Sequence, residues 1–104
     1  MALDIQRART AGADHKSGGT ANAQVLSGAH VLMGVCVRAG SGACRIDFHE
    51  GTADSDPLIV SVYVAANQAQ TVWLGPSGVS APGGVYMKLN SGTPGATSIM
   101  FHTA

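Results

Sequence analysis

The sequence predicts an all-β fold: a single antiparallel β-sandwich or jelly-roll-like domain behind an extended N-terminal arm. Three observations carry that reading. From Ala23 onward, short apolar runs alternate with polar residues at period two, the period at which a strand's side chains switch faces. Clusters of Gly, Pro, Ser and Asn break those runs at short intervals, as turns do in all-β domains. No stretch shows the three- and four-residue apolar spacing of an amphipathic helix. The 104 residues suit one domain, because a chain of this size rarely divides into two independent cores.

Residues 1–22 form the predicted arm. They carry Arg7 and Arg9, then Thr10-Ala11-Gly12-Ala13 and Ser17-Gly18-Gly19-Thr20, with almost nothing apolar after Ile5. Such a segment buries too little surface to offset its ordering entropy by itself. Two readings follow, a disordered tail or an extended strap laid across a neighbour; in the second, Ile5, Arg7 and Arg9 are the residues by which the arm grips the capsid.

Residues 23–104 form the β domain, with strands expected at 23–27, 30–38, 44–49, 58–66, 70–74, 84–90 and 96–102. Alternation places Val31, Met33, Val35, Val37, Ile46, Phe48, Leu58, Val60, Val62, Val64, Val72, Leu74, Val85, Met87, Leu89, Ile99 and Phe101 inward. Three hairpins follow if consecutive strands pair. One sets Val35 against Ile46 and Met33 against Phe48, the second Val64 against Val72 and Val62 against Leu74, and the third Val85 against Phe101 and Met87 against Ile99. The first register turns Cys36 and Cys44 to opposite faces, so the two thiols are expected to remain unbonded.

The outward parity takes Leu32, Ile59, Tyr63, Trp73, Tyr86 and Met100. Together these are too apolar for a solvated face. Trp, Tyr and Met are favoured where proteins meet, so these six residues are read as an oligomer interface. Composition agrees with that reading. Charged residues are 12% of the chain and the formal net charge is zero, against about 25% charged in an average soluble domain. Few like charges keep copies of such a surface apart.

The same balance argues against a nucleic-acid partner, because nothing concentrates Lys and Arg on one face. No run reaches the ~18 apolar residues of a membrane span, and residues 1–10 lack a signal-peptide apolar core. The expectation is a product kept inside the cell until it assembles, with no membrane partner.

Chemistry finds little foothold. His15, His30, His49 and His102 lack metal-ligand spacing. Asp47, Glu50, Asp54 and Asp56 cluster before Pro57 without the twelve-residue pattern of a calcium loop, and read as a solvated turn. Gly75-Pro76-Ser77-Gly78-Val79 misplaces the final glycine of a nucleophile elbow. No catalytic, cofactor or metal residue is assigned, and no enzyme is expected.

Val31-Leu32-Met33-Gly34-Val35-Cys36-Val37, Cys44-Arg45-Ile46-Asp47-Phe48-His49-Glu50-Gly51 and Gly83-Gly84-Val85-Tyr86-Met87-Lys88-Leu89 together resemble small structural proteins of tailed bacteriophage virions. The resemblance covers residues 23–102 and leaves the arm unmatched. It departs in one place, where Glu50-Gly51 stands for an aspartate before glycine. It implies a β-sandwich, often a homotrimer, that decorates the capsid exterior as a cement protein, binds the major capsid protein and assembles in the host cytoplasm. Two other readings stay open. One is a carbohydrate-binding module with Trp73, Tyr63 and Tyr86 as a stacking platform and calcium in the acidic loop. The other is a different virion part, such as a head-tail adaptor or fibre module.

Overall fold

The computed structural model describes residues 14–103, which form strands and turns without a helix. The strands are β1 (Asp14–Ser17), β2 (Ala23–Leu26), β3 (His30–Ala39), β4 (Cys44–Glu50), β5 (Leu58–Val64), β6 (Ala69–Trp73), β7 (Val79–Ala81), β8 (Val85–Ser91) and β9 (Pro94–Thr103). All seven expected strands are present. Two were not expected: β1, inside the segment read as an arm, and β7, in the glycine-rich stretch before β8. Ile5, Arg7 and Arg9 lie outside the described residues.

The strands form two antiparallel sheets. The first runs β1-β9-β3-β6, with β7 also on β3, and the second runs β2-β8-β4-β5. The pairings are nested: β4 with β5, β3 with β6, β2 with β8 and β1 with β9. The inner faces of both sheets contribute to one core. Leu32, Val35, Val37 and Ile99 enter it from the first sheet, and Ile46, Phe48, Val62, Val64, Val85 and Met87 from the second, each at most 2% exposed.

The three expected hairpins do not form. β3 and β4, β5 and β6, and β8 and β9 are neighbours in sequence, yet the members of each couple lie in different sheets. Each connection is an arch over the core edge. The arches 40–43 and 65–68 lie side by side, with Asn67 N–H donating to the Gly40 carbonyl (2.8 Å) and Ala39 N–H to Gln68 (2.9 Å). Among the described residues, the one hairpin between consecutive strands within a sheet joins β4 to β5 through the acidic loop, matching Ile46 with Val62 and Phe48 with Val60.

Two bulges explain where strict alternation fails. Against β9, Leu32 pairs with Phe101 and Gly34 with Met100, leaving Met33 as an extra residue. The bulge reverses parity, so Leu32, on the expected outer parity, is fully buried, while Gly34 beyond the bulge keeps its outward parity. Leu32 is therefore a core residue, which corrects its assignment to an outer interface. Against β4, Phe48 pairs with Val60 and His49 with Leu58, leaving Ile59 extra. Leu58, expected inside, is 54% exposed, and Ile59 packs against the core.

The disposition of the cysteines matches expectation although the supporting register does not. Cys44 is buried on β4, while Cys36 is half-buried on the outward parity of β3, and both are free thiols.

Candidate interaction surfaces

The expected interface residues divide between two outer faces. On the first sheet, Trp73 of β6, Gly34 of β3, Met100 of β9 and His15 of β1 occupy one cross-strand row. Gly34 is the reason the row is flat. A Cβ there would stand 2.8 Å from Met100 Cε, 2.9 Å from the Val72 carbonyl oxygen and 3.3 Å from Trp73 Cε3. Its missing side chain lets the indole and the thioether lie over the backbone. The adjacent row, Thr71, Cys36 and Ser98, is uncharged. Trp73 remains 57% exposed and Met100 half-buried.

The outer face of the second sheet is polar. Arg45, Asp47 and His49 alternate along β4, flanked by Ser61 and Tyr63 of β5 and by Tyr86, Lys88 and Asn90 of β8. Asp47 is 6% exposed. It accepts hydrogen bonds from the Ser61 hydroxyl and from Asn90 Nδ2 (2.8 Å), and Arg45 Nε lies 3.4 Å away. Arg45 Nε also donates to Ser61 Oγ (2.9 Å). Burial pushes the Asp47 carboxyl up, but the hydrogen bonds from Ser61 and Asn90 and the Arg45 charge outweigh it, leaving the group below its usual range. Asn90 reaches Asp47 because it is the extra residue of a bulge between Arg45–Ser91 and Ile46–Leu89.

Tyr63, at 68% exposed, and half-buried Tyr86 belong to this second face. They do not join Trp73, so the three rings do not make a stacking platform. Of the six residues expected to share an interface, Trp73 and Met100 meet on one sheet, Tyr63 and Tyr86 lie on the other, and Leu32 and Ile59 pack inward.

The acidic loop uses its carboxylates on itself. Asp56 Oδ2 accepts from the backbone N–H groups of Thr52 (2.8 Å) and Ala53 (3.0 Å), and the Asp56 carbonyl accepts from His49 Nδ1 (2.9 Å). Gly51, at φ 127°, permits this turn, since a Cβ there would collide with the Asp56 side chain. Asp54 pairs with Lys88 at 3.1 Å, and Glu50 accepts from Gly83 N–H at 3.3 Å. Among the described residues, no three His, Cys, Asp or Glu side chains converge as metal ligands, and no helix is long and apolar enough to cross a membrane. An open pocket of about 360 Å³ lies where the arches meet, between Arg38, Ser41, Asn67 and Ala96.

Sequence reasoning missed Gly34 and the Arg45–Asp47–Ser61–Asn90 cluster. The first has no side chain to mark it and needed the pairing of β3 with β6 and β9. The second was foreshadowed by polar residues at every other position of β4 and by one serine inside Leu58-Ile59-Val60-Ser61-Val62-Tyr63-Val64. Comparison with known proteins returns no matching family model, curated protein or solved structure.

Proposed function

We propose that this chain is a structural virion protein: a capsid decoration or cement subunit that seats on the major capsid protein and stabilises the shell by packing. The observation that carries the reading is the row of Trp73, Gly34 and Met100, an exposed indole beside a half-buried thioether on a sheet face whose next row is uncharged. The core is already complete beneath it, with Val35, Val37 and Ile99 fully buried. A large exposed indole beside an apolar neighbour is typical of the centre of a protein–protein interface.

The architecture supports the same reading. We read the nested pairing as a jelly roll, a long antiparallel ribbon closed by the β4–β5 hairpin and rolled so that most consecutive strands fall in different sheets. Jelly rolls serve viral capsids and also lectins, so the fold alone does not choose between them. The resemblance to tailed-phage structural proteins favours the capsid. Ile5, Arg7 and Arg9, in the N-terminal arm of residues 1–22, supply the strap of this proposal. Multiple contacts per subunit hold a shell together even when each is weak.

Antibody-gold labelling of virions from the phage carrying this gene tests the assignment. Label over the head face supports it, whereas label confined to the tail, or none, overturns it. A Trp73→Lys variant is expected to fold normally and to lose head occupancy at least about tenfold, as loss of a central aromatic anchor does.

A further inference from the structure

Each sheet has edges that could accept another strand, and they are not equally guarded. β1 is four residues, Asp14-His15-Lys16-Ser17, all exposed and carrying both charge signs. β2 is four residues broken by a register shift between Gln24 and Leu26. β6 and β7 are short and share one side of β3. β5 differs from all of these. It is seven residues, Leu-Ile-Val-Ser-Val-Tyr-Val, without charge, proline or glycine. Among the described residues it pairs with β4 alone. Long apolar edge strands are templates for strand addition, and proteins that avoid it place charges or breaks there.

We infer that β5 is a self-association edge, and that two copies of this chain pair antiparallel along it about a two-fold axis at Val62. This register sets Val60 against the second copy's Val64, and Val62 against itself, so inward valines extend the core. On the outer face it sets Ser61 against the second copy's Tyr63. Because Arg45 stands opposite Tyr63 and Asp47 opposite Ser61 across β4 and β5, the joined sheets then carry two rows. Each runs Arg45, Tyr63, then the second copy's Ser61 and Asp47, with opposite charges at its two ends.

Electrostatics also selects the strand direction. Glu50, Asp54 and Asp56 gather just before β5. A parallel partner places those carboxylates side by side, whereas an antiparallel partner puts them at opposite ends. The pairing closes on itself, because the two-fold axis consumes both β5 edges. The occupant is a second copy because β5 offers no charge for a charged partner strand to match, and its own sequence meets itself valine to valine. The inference uses a different surface from Trp73 and holds whether or not the chain sits on a capsid.

Sedimentation equilibrium of the full chain tests it. The wild type is expected at twice the 10.5 kDa chain mass. Tyr63→Glu sets a carboxylate opposite its own Arg45 within the monomer, and in the dimer it crowds that carboxylate into the seam opposite the second copy's Ser61, one strand from that copy's Asp47, so it is expected to fold and to weaken association at least about tenfold. Trp73→Lys should leave the mass unchanged. A wild type that stays at 10.5 kDa at millimolar concentration, a species of three times that mass, or a dimer indifferent to Tyr63→Glu overturns the inference. Should Tyr63→Glu not fold, amide exchange in the wild type decides. Protection of β5 amides that rises with protein concentration supports pairing, and protection independent of concentration refutes it.

Discussion

Asp47 offers a quantitative test of how the second sheet is held together. The carboxylate accepts two hydrogen bonds from neutral donors, Ser61 and Asn90, while the Arg45 side chain beside it is 47% exposed. A hydrogen bond to a charged group contributes about 1.5–3 kcal/mol, and a half-solvated ion pair adds no more than about 1 kcal/mol. Asp47→Ala should therefore cost about 3–7 kcal/mol at pH 7. In a domain of this size that lowers Tm by at least about 12 °C. Because the folded carboxyl titrates below its unfolded value, its stabilisation is fully present above a pH of about 4. It disappears as pH falls through the folded pKa. Thermal melts of wild type and Asp47→Ala from pH 7 to pH 2 should thus show a gap that narrows in acid. A cost under about 1 kcal/mol at pH 7, or a gap that stays constant into acid, refutes the account of Asp47 as an ionised, hydrogen-bonded hub.

Two further outcomes are expected. Burial pushes the Cys44 thiol up and leaves it inaccessible, whereas Cys36 is half-buried on an outer parity. Iodoacetamide on native protein should modify Cys36 first and reach Cys44 only on unfolding, as mass mapping of the alkylated peptides will show. Deleting residues 1–13 should reduce head occupancy if the proposed strap is real, as labelling of virions will show. Deletion through residue 20 should also lower Tm, because it removes β1 and the bonds of Thr97 to Gly18 and Gly19.

The fold class and seven of the strands were legible in the alternation, because a strand with one buried face must repeat every two residues. Strand partners were not. In a two-sheet fold, inward residues of neighbouring strands meet in the core whether the strands pair in one sheet or face each other across two. Val35 and Ile46 are both fully buried, yet they belong to different sheets. Matching apolar residues therefore predicts shared burial and is silent on hydrogen bonding. Leu32 and Leu58 were misplaced for a narrower reason. Each lies next to a bulge, at Met33 and Ile59, where one extra residue flips parity and no residue type marks the position. The candidate surface was half legible: Trp73 and Met100 stand out by type, but Gly34, which lets them meet, acquires meaning only once β6 and β9 flank β3.

The contrast between the outer faces bears on function more than either face alone. Both inner faces are consumed by one core, so neither outer face owes its composition to the fold's interior. On the second sheet, outward polar groups satisfy one another through Arg45, Asp47, Ser61 and Asn90, and Lys88 pairs with Asp54. A face organised in that way is stable against water. On the first sheet the corresponding row holds an indole, a bare glycine and a thioether, and meets an ionisable side chain only at its end, His15 of the edge strand β1. Exposure of Trp73 brings the monomer no stability, since transferring that apolar area out of water is favourable only when something covers it. A subunit with one water-facing and one protein-facing side has the polarity required of a molecule seated on a shell. In the proposed reading, pairing along the uncharged β5 edge would extend the seated layer sideways, in the plane of the sheet, because β5 lies in the other sheet from Trp73.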